Sequence, residues 1–293
     1  MKNRQIRDFV SVARAACMLV LLVAGCQSTH TSADTQADTQ VGQTDPVATP
    51  SQAPNPCVIP VSSGETRGTA AGWGEGFTWM DQHDAINVSS ARAVAEGRRV
   101  DVVLLGDSIT QSWGGPGRRL GSPGAAAREQ HFGRWDTLNF GISGDRTQHL
   151  LWRIEHGNFD GISPQAIVLM IGTNNLSAGD SIEQIAAGVA AILDSLTHRL
   201  PETQIVLCGV LPRGRLPTDP MRLAVEQLNA LLGPLGDRPR VEFVDHAPGF
   251  LDGNGEARGE LMAGDFLHLR PAGYDAWGAA LAAELQRLFP GGG

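Results

Sequence analysis

Five short apolar runs constrain this chain more than any other feature: 100–105, 137–140, 166–171, 204–210 and Val241–Val244. They are rich in Val, Ile and Leu and mostly continuous rather than alternating, which is how strands buried on both faces read. Amphipathic stretches fall between them. Residues 181–199 carry Ile182, Ile185, Ala186, Val189, Ile192, Leu193 and Leu196 at helical spacing, and Ser181 with Gln184 makes a capping-box pattern. Asp219 followed by Pro220 reads as the N-cap and first residue of another helix, with Met221, Ala224, Val225, Leu228 and Leu231 on one face. Pro271 opens a last helix to about Phe289. Strand and helix alternating in this way predict an α/β chain with a parallel sheet and crossover helices.

In such sheets ligands sit beyond the carboxyl ends of the strands. The polar residues of this sequence fall there: Gly106-Asp107-Ser108-Ile109, Asn139-Phe140-Gly141, Gly172-Thr173-Asn174-Asn175 and, after the fifth run, Asp265-Phe266-Leu267-His268. Any one of these is ordinary turn chemistry. In this order, at strand ends, they form a constellation that resembles the GDSL, or SGNH, hydrolase family, whose four blocks centre on Ser, Gly, Asn and His. The segments NFGISGDRTQHLLWR at 139–153, GTNN at 172–175, LPRG at 211–214 and DFLHL at 265–269 look like the catalytic subunits of intracellular platelet-activating-factor acetylhydrolase within that family. The resemblance runs from about Trp79 to Leu288. It implies a three-layer α/β/α, flavodoxin-like fold with a central five-stranded parallel sheet, and a serine esterase for small acyl groups that needs no cofactor or metal. Those relatives form dimers, so a homodimer is among the expectations.

Ester hydrolysis at neutral pH needs an activated nucleophile, a base and donors aimed at the developing oxyanion. Ser108 is the expected nucleophile, His268 the expected general base and Asp265 the acid that orients the imidazole. The oxyanion hole is expected from the Ser108 N–H, the Gly141 N–H and the Asn174 side-chain amide. Thr110 stands where a Gly-x-Ser-x-Gly elbow needs its last glycine, which disfavours an α/β-hydrolase. Asn175 occupies a position where many family members have Asp, and the acetylhydrolase branch shares the Asn. Asp107 reads as a loop-bracing residue, and His83, His131, His149 and His246 as surface, capping or core groups.

The N-terminus points to export. Lys2, Arg4, Arg7 and Arg14 flank a short apolar run that ends in Val23-Ala24-Gly25-Cys26, a bacterial lipobox pattern. The expected organisation is a lipoprotein signal peptide over 1–25, a lipidated Cys26 with a disordered linker over 26–70, and the hydrolase domain over 71–290. Lipidation at Cys26 makes the membrane a partner and predicts a protein anchored to the cell envelope, with Gln27 after the cysteine favouring the outer membrane. The linker is Ser, Thr, Asp, Gln, Ala and Pro, and it would hold the domain on the order of 30 Å from the membrane. Removing residues 1–25 takes away four basic groups and one acidic group and moves the net charge from -8 to -11. That balance argues against a nucleic-acid partner and favours a neutral acylated small molecule or glycan as substrate. Cys57 and Cys208 leave one disulfide arithmetically open, although Cys208 sits where a small buried strand residue belongs. Two other readings stand beside the small-acyl esterase: a lysophospholipase or thioesterase for longer chains, and a non-catalytic lipid-anchored binding protein, which retention of Ser108, Asp265 and His268 together disfavours.

Overall fold

The computed structural model describes residues 53–291. The expected signal segment, Cys26 and most of the expected linker lie outside the described residues. Five strands, β1 (Val102–Gly106), β2 (Thr137–Gly141), β3 (Ala166–Met170), β4 (Gln204–Cys208) and β5 (Val241–Val244), form one all-parallel sheet in the order β2-β1-β3-β4-β5. This is the five-stranded arrangement the apolar runs and the resemblance predict, and its strand order reverses at β1, between β2 and β3. Among the described residues eight α-helices accompany the sheet: α1 (Trp79–Ala95), α2 (Ser108–Gln111), α3 (Ala125–Phe132), α4 (Thr147–Glu155), α5 (Thr173–Ala178), α6 (Ile182–Arg199), α7 (Pro220–Leu232) and α8 (Pro271–Leu288). None of the described helices is long and apolar enough to cross a membrane.

Side chains alternate across a strand, so each strand feeds two cores. Val103, Leu105, Ile167, Leu169, Ile205 and Leu207 point into one apolar cluster with α1, α4, α6 and α7. Val102, Leu104, Val168, Met170, Val206 and Cys208 point into the other, closed by Trp113, Phe132, Tyr274, Trp277 and Leu281 from α3, α8 and the segment after α2. Both strand faces are covered, which is why the runs read as continuous. The capping box of α6 forms as expected, with the Ser181 hydroxyl accepting from Gln184 N–H and the Gln184 side chain accepting from Ser181 N–H. Asp219 does not cap α7 with its side chain; its carboxylate instead accepts from Leu216 N–H at 2.9 Å and shapes the turn before the helix.

One expectation needs correction, and one question left open is answered. The linker does not extend to residue 70, because residues from Asn55 onward are fastened to the domain. The Asn55 side chain donates to Gln184 O, Cys57 is fully buried with its carbonyl accepting from Thr147 Oγ1 at 3.0 Å, and Val61 N–H donates to Gln148 O. A Pro- and Ser-rich composition hid these anchors, which are polar and few. Cys57 and Cys208 do not pair: both are free and buried, and they sit in cores on opposite faces of the sheet.

Candidate active site

The four polar fragments meet at the carboxyl edge of the sheet. β1 ends at Gly106, Asp107 caps the single-turn helix α2 by accepting from Ile109 N–H at 3.0 Å, and Ser108 is the first helical residue. The turn is held from three sides. Tyr274 Oη donates to Ile109 O at 2.8 Å, the Asn139 amide donates to Thr110 O at 2.7 Å, and Gln111 accepts from the Trp73 indole and from Ser143 N–H. Ser108 is half-buried. Its Oγ lies 2.9 Å from His268 Nε2, and His268 Nδ1 lies 2.6 Å from Asp265 Oδ2.

Asp265 and His268 belong to one tight turn. The second carboxylate oxygen of Asp265 accepts from the backbone N–H groups of Leu267 and His268, at 3.1 and 3.0 Å. Ala263 N–H donates to His268 O at 2.7 Å and closes the loop, while Phe266 takes φ of 48° and packs its ring on the second core. Partial burial alone raises the Asp265 carboxyl, but the hydrogen bonds from the His268 ring and from two backbone amides outweigh it and hold the group below the ordinary carboxylate range. Asp265 therefore stays ionised beside the imidazole. His83 and His149 sit differently: burial pushes each down to about 4, which leaves them neutral aromatic packing groups beside Trp79.

Asn174 is the second residue of α5, and its side-chain amide donates to Asp145 O at 2.9 Å and to Asp107 Oδ2 at 3.4 Å. Gly141 does not offer the amide expected of it. Its N–H donates to Asn139 Oδ1 at 2.8 Å, and a Cβ at this position would run into the backbone of Thr110 and Gln111. Glycine is needed at 141 so that α2 can pack on the end of β2, not so that substrate can approach. Three residues on, Gly144 has φ of 86°, and its N–H has no acceptor among the described residues. The positive φ calls for glycine here.

Sequence reasoning also passed over the polar group beneath the site. Asp145 and Arg153 are fully buried, with Arg153 Nη2 at 2.6 Å from Asp145 Oδ2, the Trp79 indole donating to Asp145 Oδ1 at 2.6 Å, and Arg153 Nη1 donating to Asn158 Oδ1 at 2.7 Å. An acidic and a basic residue eight positions apart give no local pattern, so only the fold reveals the pair. Among the described residues no group of three or more His, Cys, Asp and Glu is placed to hold a metal ion.

Asp107, fully buried beside Ser108, is pushed up to about 6 from an ordinary 3.8, chiefly by burial, against the pull of the Ile109 N–H and His268. A folded-state carboxyl raised in this way binds its proton more tightly than the unfolded chain does, so stability falls as pH rises from about 4 to about 6. The loss from this one group is about 3 kcal/mol. Asp145, also raised to about 6 by burial, adds a slope of the same sign. Urea midpoints measured across that window are expected to drop with rising pH in the wild type and to drop less steeply in Asp107→Asn; an identical slope in both would rule out Asp107 as a source.

A serine hydroxyl on an imidazole and the imidazole on an ionised carboxylate, with the unengaged Gly144 amide beside them, are what an ester hydrolase of the serine type needs. The comparisons agree. A model of the GDSL-like lipase/acylhydrolase family matches residues 104–276. The alpha1 subunit of human platelet-activating factor acetylhydrolase IB is 36% identical over 218 residues, covering 72% of this chain and 84% of that protein. The bovine alpha2 subunit is 33% identical over 227 residues, covering 75% and 86%. Solved structures with the same fold include a GDSL-like lipase from Bacteroides thetaiotaomicron, at TM-score 0.56 and 19% identity over 71% of this chain and 97% of that one. An acetylxylan esterase from Geobacillus stearothermophilus superposes at TM-score 0.52 with 20% identity, over 64% and 94%. The chain belongs to the GDSL-like acylhydrolase family.

Proposed function

We propose that this protein is a cell-envelope serine esterase that removes small acyl groups, acetyl above all, from carbohydrate. The observation that carries the reading is the unbroken relay from Ser108 Oγ through His268 to Asp265, at 2.9 and 2.6 Å. In the first half-reaction Ser108 Oγ attacks the acyl carbon and its proton passes to His268 Nε2. The imidazolium is stabilised by Asp265, and the tetrahedral intermediate collapses as His268 returns the proton to the departing alcohol. Water then attacks the acyl-enzyme, again with His268 as base, and the carboxylic acid leaves.

The oxyanion formed in both steps meets the Ser108 N–H, which as the first helical amide has no intrahelical acceptor, the Gly144 N–H, and the Asn174 side-chain N–H that gives up its long 3.4 Å contact with Asp107 while the other stays on Asp145 O. Gly144 takes the role expected of Gly141, since the Gly141 amide already serves Asn139. The preference for a small acyl group on a large alcohol is supported by the openness of the site. The side chains of His268 and Asp265 are 39% and 50% exposed, and the cavity of about 530 Å³ near Pro212, Val225 and Phe243 is lined by no member of the relay. A shallow, open serine suits an ester on a bulky carrier, and both the acetylhydrolase relatives and the acetylxylan esterase neighbour are named for acetyl esters. The envelope assignment is supported by Lys2, Arg4, Arg7, Arg14 and the Val23–Cys26 pattern, which make Cys26 the lipid-bearing residue.

The test is hydrolysis of nitrophenyl esters from acetyl to decanoyl, followed by acetylated oligosaccharides. Activity is expected to peak at acetyl and to extend to the sugars. A rate that climbs with chain length would replace this reading with the lysophospholipase or thioesterase one.

A further inference from the structure

The segment over 63–73 precedes α1 and contributes nothing to the relay, yet it is fastened to the Gly144 side of the site. Trp79 N–H donates to Glu65 O at 3.0 Å, and the Ser63 hydroxyl accepts from Glu65 N–H at 3.2 Å. Trp73 is fully buried, and Gln111 Oε1 accepts both its indole N–H and Ser143 N–H, at 2.9 and 3.1 Å. Ser143 immediately precedes Gly144, so the segment and the Gly144 turn share one anchor on the last residue of α2.

Between these anchors the side chain of Arg67 reaches Gly144 itself. A Cβ at 144 would land on the guanidinium, on Nε, Cζ and Nη2 alike, so the missing side chain is what lets the cation lie against the backbone there. Glycine at 144 therefore answers two demands, the positive φ and this close approach. Arg67 Nε donates to Glu65 Oε2 at 2.6 Å, and Nη2 pairs with the same oxygen. The remaining N–H groups of the guanidinium have no acceptor among the described residues. The charges are felt in the same turn: Arg67 helps to hold the His149 ring down, and Glu65 helps to push the Asp145 carboxyl up.

The Ser108 and Gly144 N–H groups and the Asn174 amide are all neutral donors. Granted the esterase reading, on which this rests, we infer that Arg67 is a further catalytic residue, whose guanidinium sets a full positive charge against the oxyanion beside the Gly144 N–H. The tetrahedral intermediate carries a negative charge that neither the ester nor the acyl-enzyme has. A fixed cation at that point favours the transition state over the ground state, and no proton has to move to supply it. A planar guanidinium suits the place better than an ammonium, because it can lie flat on Gly144 while Glu65 holds one edge. Glu65 orients the group before substrate arrives. With the two side chains 39% and 44% exposed, the pairing is screened by water and cancels only part of the charge.

The experiment measures kcat and KM on nitrophenyl acetate in the full domain with three substitutions. Arg67→Gln is expected to lower kcat by about ten- to a hundredfold with KM nearly unchanged, less than a fully buried oxyanion donor would cost. Arg67→Lys, which keeps the charge, is expected to recover most of that loss. Glu65→Gln keeps an acceptor for the guanidinium but removes the counter-charge, and is expected to move kcat the opposite way, up by about two- to fivefold. Phenylboronic acid gives a readout without turnover. Ser108 Oγ bonds to boron as its proton passes to His268, which leaves a tetrahedral boronate anion in place of the intermediate. Its inhibition constant is expected to rise in Arg67→Gln by the same factor as kcat/KM falls. Equal losses in all three variants would show an ion pair that only braces the segment, and would overturn the inference. So would a rise confined to KM, or an unchanged boronate constant in Arg67→Gln, both with the esterase reading intact. A wild type that hydrolyses no ester and binds no boronate would remove the esterase reading and the role of Arg67 with it.

Discussion

Ser108→Ala is expected to lower kcat on nitrophenyl acetate by about five to six orders of magnitude, and His268→Ala by about as much, with the double variant no worse than either alone. Members of a relay act as a unit: without the imidazole the hydroxyl is a poor nucleophile, and without the hydroxyl the imidazole has nothing to activate. Asp265→Asn is expected to cost about four orders. The Asn side chain can still accept from the Leu267 and His268 amides through Oδ1, so the turn persists, but it presents an N–H to His268 Nδ1 where the ring needs an acceptor. Single-turnover measurements with wild-type circular dichroism in each variant would establish the order. Retention of more than a hundredth of the activity in Ser108→Ala would mean that a different group performs the chemistry.

The largest stability effect is expected from Asp145→Ala. It strands the Arg153 guanidinium, fully buried, with its carboxylate partner gone and the Trp79 indole without an acceptor. Breaking a buried pair from one side costs about 3–5 kcal/mol. Arg153→Met is expected to cost a similar amount by leaving Asp145 uncompensated, whereas the double substitution of Asp145→Leu with Arg153→Met should recover much of the loss, because the two penalties share one cause. Urea denaturation of the three variants measures this directly. Additive losses would show that the two residues are not energetically coupled. Activity is expected to fall further than stability alone explains. The Asp145 carbonyl positions Asn174, and Arg153 Nη2 reaches Gly106 O at 3.4 Å, just before the nucleophile turn.

The strands, and the three residues that meet as Ser108, His268 and Asp265, were legible because their signals are local. A strand buried on both faces writes its burial into consecutive letters, and the Asp265-to-His268 spacing is itself the geometry of one turn. The helix α1 was not legible, since its buried face carries Gln82, His83 and Ser90 beside Trp79, Ile86 and Ala93, and polar residues satisfied by tertiary partners erase the apolar stripe. Gly141 and Gly144 look alike as letters. What separates them is whether an amide is already engaged, and Asn139 decides that through a contact no spacing rule contains. Arg213 was visible as part of a motif but without a role, because its partners Thr173 and Ser177 lie 40 and 36 residues away.

The turn that holds Asp265 and His268 is a self-contained cassette. Its internal bonds run from Ala263 to His268, and the Met262–Leu269 bridge closes it from outside. Insertions or deletions in the surface loop before Met262 therefore leave acid and base in mutual alignment and change only how the pair as a whole is offered to Ser108. One separation, the 2.9 Å between Ser108 Oγ and His268 Nε2, is where drift elsewhere in the molecule becomes a change in rate. Lineages of this fold have that single gap to guard, and the segments around it are correspondingly free to be rebuilt for new substrates.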